Sequence, residues 1–156
     1  MRRLFPVILL LAASAWARAA EVELVRVWPG WREAASFERI SEFFGGDEDH
    51  GREVVLRTRP ASREGFYFLV RTRSGASLAG ARFEVAVIGP DRPEPREHAF
   101  PAVVPAGGQV FQLGITGGDW PAGRERGPVA WKVTLRAADG RVLAEQKSFL
   151  WEKPAK

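Results

Sequence analysis

The sequence predicts an all-β protein, a single sandwich of about seven antiparallel strands. Three observations predict it. Short segments that alternate apolar and polar residues recur along the chain, turns rich in Gly, Pro and Asp separate them, and no helical segments alternate with them. A chain of 156 residues that is 46% apolar is suited to one such domain.

The first predicted strand is rich in β-branched residues and ends before Pro29-Gly30, a turn dipeptide. The third turns Phe66, Phe68 and Val70 to one face and apolar residues to the other, which is typical of a central strand. The remaining strands alternate, with their apolar residues on one face. The seven predicted strands are Glu21–Trp28, Arg52–Arg59, Phe66–Arg73, Ala81–Ile88, Val110–Thr116, Val129–Arg136 and Arg141–Trp151.

If residues 60–64 form a hairpin loop, the second and third strands pair and Arg57 lies opposite Tyr67, within cation–π range. The same register sets Glu53 opposite Arg71. Cross-strand pairing of this kind explains most of the outward arginines without an anionic ligand; these are Arg57, Arg59, Arg71 and Arg73.

Ala138-Asp139-Gly140 is the strongest turn signal in the chain. A two-residue loop would set Lys132 opposite Lys147, a destabilising like-charge pair. A three-residue loop with left-handed Gly140 sets Leu135 opposite Leu143, and we expect this second register. Because it leaves a charged residue on the inner face, we expect the last strand to be an edge or to carry a bulge.

Two segments depart from the strand pattern. Residues 36–44 have apolar residues at helical spacing and predict one short helix, with a strand as the alternative. Residues 89–105 contain five prolines and predict a surface connection between the sheets rather than a central strand.

Residues 1–19 are typical of a signal peptide. Arg2 and Arg3 precede a short apolar run, and Ala17-Arg18-Ala19 supplies small residues for cleavage after Ala19. The run is about ten residues, shorter than the ~20 that a membrane-spanning helix needs. We expect an exported protein whose residues 20–156 form one domain with no membrane span. The lack of cysteine in an exported domain favours a bacterial periplasm or cell surface.

Composition argues against several functions. Without the three arginines of the signal peptide the chain carries 20 basic and 19 acidic residues, a net charge of +1, so nucleic acid is not an expected partner. The absence of cysteine excludes a thiolate metal site and a cysteine nucleophile. Neither histidine, His50 or His98, has a neighbouring serine and carboxylate that would indicate a triad. We therefore expect a non-enzymatic protein without a cofactor.

One acidic run and four tryptophans are the candidate binding residues. Asp47, Glu48 and Asp49 lie in a loop and lack the spacing of a calcium-binding motif, so a solvated turn is the favoured interpretation and cation binding stays open. Trp28, Trp31, Trp120 and Trp151 lie near predicted strand ends or in loops. They either contact a partner or sugar, or fold back to close the open ends of the sandwich.

The strand number, the turn spacing and the terminal hairpin resemble immunoglobulin-like and fibronectin type III-like sandwiches, over residues 21–151. The resemblance concerns the fold and does not determine the function. We expect an exported binding module of the bacterial cell envelope that recognises another envelope protein, through an edge strand or the four tryptophans. The alternative is a carbohydrate-binding module with Trp120 and either Trp28 or Trp31 as a stacking platform.

Overall fold

A computed structural model describes residues 21–37 and 53–152 of the protein. Eight strands and three short 3₁₀ turns make up this part of the chain. The strands are β1 (Val22–Arg32), β2 (Glu53–Arg57), β3 (Gly65–Ser74), β4 (Leu78–Ile88), β5 (Arg96–Val104), β6 (Gly107–Thr116), β7 (Ala130–Arg136) and β8 (Val142–Lys147). The turns are Ala34–Phe37, Gly117–Asp119 and Phe149–Glu152.

The strands form two four-stranded sheets, and the all-β prediction is confirmed. Sheet A has the order β1-β3-β6-β2 and sheet B the order β5-β4-β7-β8. Alternate apolar residues of each sheet meet in one core, where Phe83 of sheet B lies 4.9 Å from Phe111 of sheet A between ring centroids. The alternation predicted for β3 is confirmed, since Phe66 and Phe68 enter this core and β3 is a central strand.

The structure has one strand more than predicted, because residues 89–105 are not only a connection. β5 lies within them and pairs with β4 along most of its length, with Pro101 opposite Arg82. It forms the edge of sheet B. An edge strand tolerates proline, because the missing N–H can face away from the neighbouring strand.

Pro29-Gly30 is not a turn, so the prediction that the first strand ends there is wrong. β1 continues to Arg32 and pairs with β3 throughout, with a bulge near Val25. It is the edge of sheet A, where proline is again tolerated. Trp28 and Trp31 therefore lie in a strand.

The prediction that β2 and β3 form a hairpin is also wrong. β2 lies beside β6 and runs parallel to it, with Glu53 opposite Val110, and β6 separates it from β3. The sandwich is thus not entirely antiparallel. Glu53 does not oppose Arg71, whose neighbours in sheet A are Arg26 and Val110.

The last hairpin matches the predicted loop but not the predicted register. Gly140 has a φ of +87° and donates its N–H to the carbonyl of Ala137, which closes the three-residue loop. A bulge near Leu143 then shifts the pairing by one residue, so that Lys132 opposes Lys147. β8 is an edge strand with a bulge, as expected.

Several predictions fall outside the described residues. The signal peptide and the acidic run of Asp47, Glu48 and Asp49 lie there, as do residues 38–44 of the predicted helix. Within its described start, residues 34–37 form a 3₁₀ turn in which the Ser36 hydroxyl donates to the Glu33 carbonyl. The described part of the chain contains no helix with the length and apolar character needed to cross a membrane.

Candidate functional site

Trp120 is part of the core rather than a surface residue. It is 4% exposed, its ring stacks on Phe66 at 4.8 Å, and its indole N–H donates to the carbonyl of Gly123. The turn that follows β6 folds the ring back over the end of the sandwich. The ring face is therefore closed to a ligand in this structure.

Trp28 and Trp31 point to opposite sides of sheet A, because they are three positions apart along one strand. Trp31 packs against the core, and its buried indole nitrogen has no hydrogen-bond partner. Trp28 lies on the outer face, is 38% exposed, and has the guanidinium of Arg26 over its ring at 4.8 Å. Of this pair, Trp28 is the more exposed, and Trp31 is partly buried.

Trp151 belongs to an apolar surface that follows the last strand. The 3₁₀ turn places Phe149 and Leu150 in solvent, 78% and 47% exposed, and half of Val129 is exposed at the start of the neighbouring strand β7. Lys132 lies 5.3 Å from the Trp151 ring. We call these four residues the end patch: Val129, Phe149, Leu150 and Trp151.

The end patch adjoins β8, which is an edge strand of sheet B and lies close to β1 of sheet A. No further strand pairs with β8 within residues 21–37 and 53–152. Just beyond the strand, the Ser148 N–H donates to the Trp131 carbonyl. Because bonded and non-bonded pairs alternate in an antiparallel ladder, the next pair, Lys132 and Lys147, is a non-bonded one. The backbone N–H of Lys147, and likewise that of Glu145, therefore points away from β7.

Acid–base pairs cover the outer face of sheet B. The Glu84 carboxylate accepts hydrogen bonds from Arg136 at 2.6 Å and from Arg82 at 3.0 Å, and these interactions, that with Arg136 first, lower its pKa. The carboxylate oxygens of Glu145 lie 4.0 Å from Nζ of Lys132 and 4.0 Å from Nζ of Lys147. This carboxylate offsets the like-charge pair and explains why the observed register is tolerated.

The outer face of sheet A carries an aromatic cluster around Tyr67. Tyr67 is almost fully buried on this face, beside the ring of Phe37 at 4.9 Å. Its hydroxyl donates to the Arg63 carbonyl and accepts from Arg57 Nε at 2.8 Å. Arg57 reaches it across Gly114, which has no side chain to intervene. The predicted contact of Arg57 with Tyr67 thus exists, by a different route and as a hydrogen bond.

A polar cluster that the sequence did not reveal joins the end of β2 to the end of β6. The buried Thr116 hydroxyl accepts from the Arg59 N–H and donates to the Arg59 carbonyl, while the Thr58 hydroxyl accepts from the Thr116 N–H. The Arg59 guanidinium donates a hydrogen bond of 2.9 Å to the Asp119 carboxylate, and this bond lowers the pKa of Asp119. Only spatial contact between distant segments creates this cluster, so no local motif indicates it.

His98 faces inward at the edge of sheet B, next to this cluster. Its Nε2 is buried without a hydrogen-bond partner. Burial lowers the pKa of His98, and the charge of Arg96 acts in the same direction while Asp119 opposes them. No serine hydroxyl is hydrogen-bonded to His98 among the described residues, so the cluster does not assemble a Ser-His-Asp relay.

Within the described ranges, no three His, Asp or Glu side chains converge in a way that would hold a metal ion. The predicted loop ligands are outside those ranges. Comparison of the chain with family models, curated proteins and solved structures finds no match. The function must therefore be argued from the surfaces described above.

Proposed function

We propose that the protein is an exported, non-enzymatic binding module of the bacterial cell envelope, and that it captures an extended segment of another envelope protein along β8. The partner adds a strand to sheet B, with main-chain hydrogen bonds to the outward amides of Glu145 and Lys147. The proposal includes the immunoglobulin-like or fibronectin type III-like sandwich expected from the sequence, an architecture that such modules use.

One observation carries the proposal: β8, which has no strand on its outer side among the described residues, lies next to exposed large apolar side chains. Phe149, with 78% of its surface exposed, and Leu150 follow the strand directly. Aromatic and aliphatic residues at a protein surface commonly anchor a partner. Backbone bonds along β8 supply affinity, and the end patch supplies specificity.

The other three sheet edges support this role less well. Pro29 removes an N–H from β1, and Pro101 removes one from β5. β2 has five residues. β8 has six residues and no proline. The charges of Glu145 and Lys147 protect it against unspecific pairing with other edges.

The experiment uses a photo-crosslinking amino acid in place of Phe149, whose aromatic ring a benzoylphenylalanine replaces conservatively. Irradiation of cells that express this protein should yield one dominant adduct with an envelope protein. The same amino acid at Val103, 62% exposed on the opposite edge of sheet B, is the matched control and should not yield this adduct.

A proline substitution separates backbone capture from contact by the end patch alone. Lys147→Pro removes an outward N–H and leaves the bonds to β7 in place, so the adduct should be lost. Lys147→Ala removes the charge but keeps the N–H and should retain the adduct. Equal adducts from both variants would contradict strand addition.

The carbohydrate-binding alternative is favoured by one residue, because Trp28 presents part of its ring on a sheet face. The platform of Trp120 with Trp28 or Trp31 would need the buried Trp120 ring to become accessible. Glycan titration of Trp120→Phe tests that platform, since a response that persists in this variant does not come from Trp120.

A further inference from the structure

Three arginines lie together on the outer face of sheet A. Arg26 of β1 is directly opposite Arg71 of β3, and Arg73 lies two residues further along on the same face. Like charges in directly opposed positions destabilise a sheet. The pairing of Arg26 with Arg71 is therefore unfavourable in itself.

Among the described residues, carboxylates compensate these arginines less than they do the bases of sheet B. Arg73 has a long contact with Glu23, 3.7 Å between two well-exposed side chains. Arg26 stacks on Trp28. For Arg71 no carboxylate of the described residues lies at ion-pair distance. Glu53, in the same row beyond Val110, accepts a hydrogen bond from the Gln112 amide instead.

Two of the three arginines, Arg71 and Arg73, border an open cleft of about 770 Å³ at this end of sheet A. The walls include Arg71, Arg73, Glu53 and the apolar side chains of Val25 and Val110. Trp28 lies one row away, opposite the half-buried Leu69. The surface thus combines planar guanidinium groups with a partly exposed aromatic ring.

We infer that this face binds an acidic polysaccharide, a chain of carboxylate-bearing sugars. Guanidinium groups bind carboxylates through paired hydrogen bonds, and the apolar face of a sugar ring packs against an indole. An acidic peptide fits less well. β3 is paired on both sides, so this face offers no free main-chain groups to an extended peptide.

Titration with polygalacturonate tests the inference, with neutral dextran as the ligand control. The protein should bind polygalacturonate with an affinity that falls as salt is added, and should not bind dextran. Arg71→Gln and Arg26→Gln should each weaken binding by about tenfold. Arg141→Gln, which removes the same charge from the β7–β8 loop, should change the affinity less than about twofold.

Stability measurements exclude unfolding as the cause of lost binding. Because Arg26 and Arg71 repel each other, Arg71→Gln should melt at the same temperature as the unmodified protein or higher. Lys147→Pro should leave polygalacturonate binding intact, which separates this site from the proposed edge of β8.

Three results would overturn the inference. One is the absence of polygalacturonate binding at low salt. Another is an equal loss of binding in Arg141→Gln, which would mean that net charge alone acts. The third is equal binding of polyglutamate, which would assign the surface to acidic peptides.

Discussion

Replacing Gly114 by alanine tests how sheet A is packed around Tyr67. A Cβ at this position would lie 2.4 Å from Cε1 and 2.6 Å from Cζ of the Tyr67 ring. The ring is buried, and its hydroxyl is hydrogen-bonded to Arg63 and Arg57. It would have to move by about 1 Å to restore normal carbon–carbon separation.

The expected cost combines two effects. Overpacking a well-filled site costs about 1–3 kcal/mol, and weakening a hydrogen bond of the Tyr67 hydroxyl adds about 1 kcal/mol. We therefore expect Gly114→Ala to lower the free energy of unfolding by about 2–4 kcal/mol, a large part of the 5–15 kcal/mol typical of a domain. Urea unfolding followed by tryptophan fluorescence measures this difference.

Gly30 is a matched control, because it lies opposite Tyr67 in β1, whereas Gly114 lies opposite Tyr67 in β6, on the other side of β3. A Cβ there meets nothing within 4 Å, so Gly30→Ala should be neutral or slightly stabilising. The clash also predicts that Gly114→Ala costs less in a Tyr67→Ala background than alone. Equal stability of both glycine variants, or additive effects in the double variant, would refute the reasoning.

Three further predictions concern titration and buried hydrogen bonds. Glu84→Gln should lower the free energy of unfolding by less than about 1 kcal/mol at pH 7, since the carboxyl is partly exposed. Urea unfolding should show that this difference between the variant and the unmodified protein vanishes as the pH falls through the lowered pKa of Glu84. The pKa of His98 is lowered in the folded protein, so the unfolded chain binds the proton first and the free energy of unfolding should fall as the pH drops below about 6.5. His98→Leu should flatten this part of the stability–pH curve. An unchanged slope in this variant would contradict the assignment to His98. Thr116→Val should lower stability by about 1–3 kcal/mol in the same assay, because the Arg59 N–H loses its acceptor and the Arg59 carbonyl keeps only the Ser62 N–H, whereas an unchanged midpoint would mean that water replaces the hydroxyl.

Local alternation predicted most strands, because it depends on which face of a strand is buried. Its failures lie at sheet edges. Pro29 and the prolines of residues 89–105 are turn signals in isolation, yet an edge strand has a free side that accommodates a missing N–H. Whether a strand is an edge depends on the whole sheet and not on the local sequence.

Pairing between distant segments could not be derived either. The sequence suggested that β2 pairs with its successor β3, but β2 runs parallel to β6. The contact of Arg57 with Tyr67 was expected from the wrong register and exists because Gly114 leaves a gap between them. The same error concealed the exposed charge of Arg71, which had been assigned to a pair with Glu53.

The candidate surfaces depended on exposure, which the sequence does not state. Trp120 and Trp31 have the same side chain as Trp28 but fold towards the core. Phe149 and Leu150 are of residue types that are usually found in a core, yet a 3₁₀ turn after the last strand leaves them in solvent. A sequence gives the residue type, whereas the tertiary fold decides which apolar side chains remain available to a partner.

Site-specific photo-crosslinking at position 149 in the native envelope tests the central claim most directly. The account predicts one protein adduct that persists in Lys147→Ala, disappears in Lys147→Pro and does not form from position 103. An adduct that survives Lys147→Pro in a folded protein, or that forms equally from position 103, would contradict capture along β8.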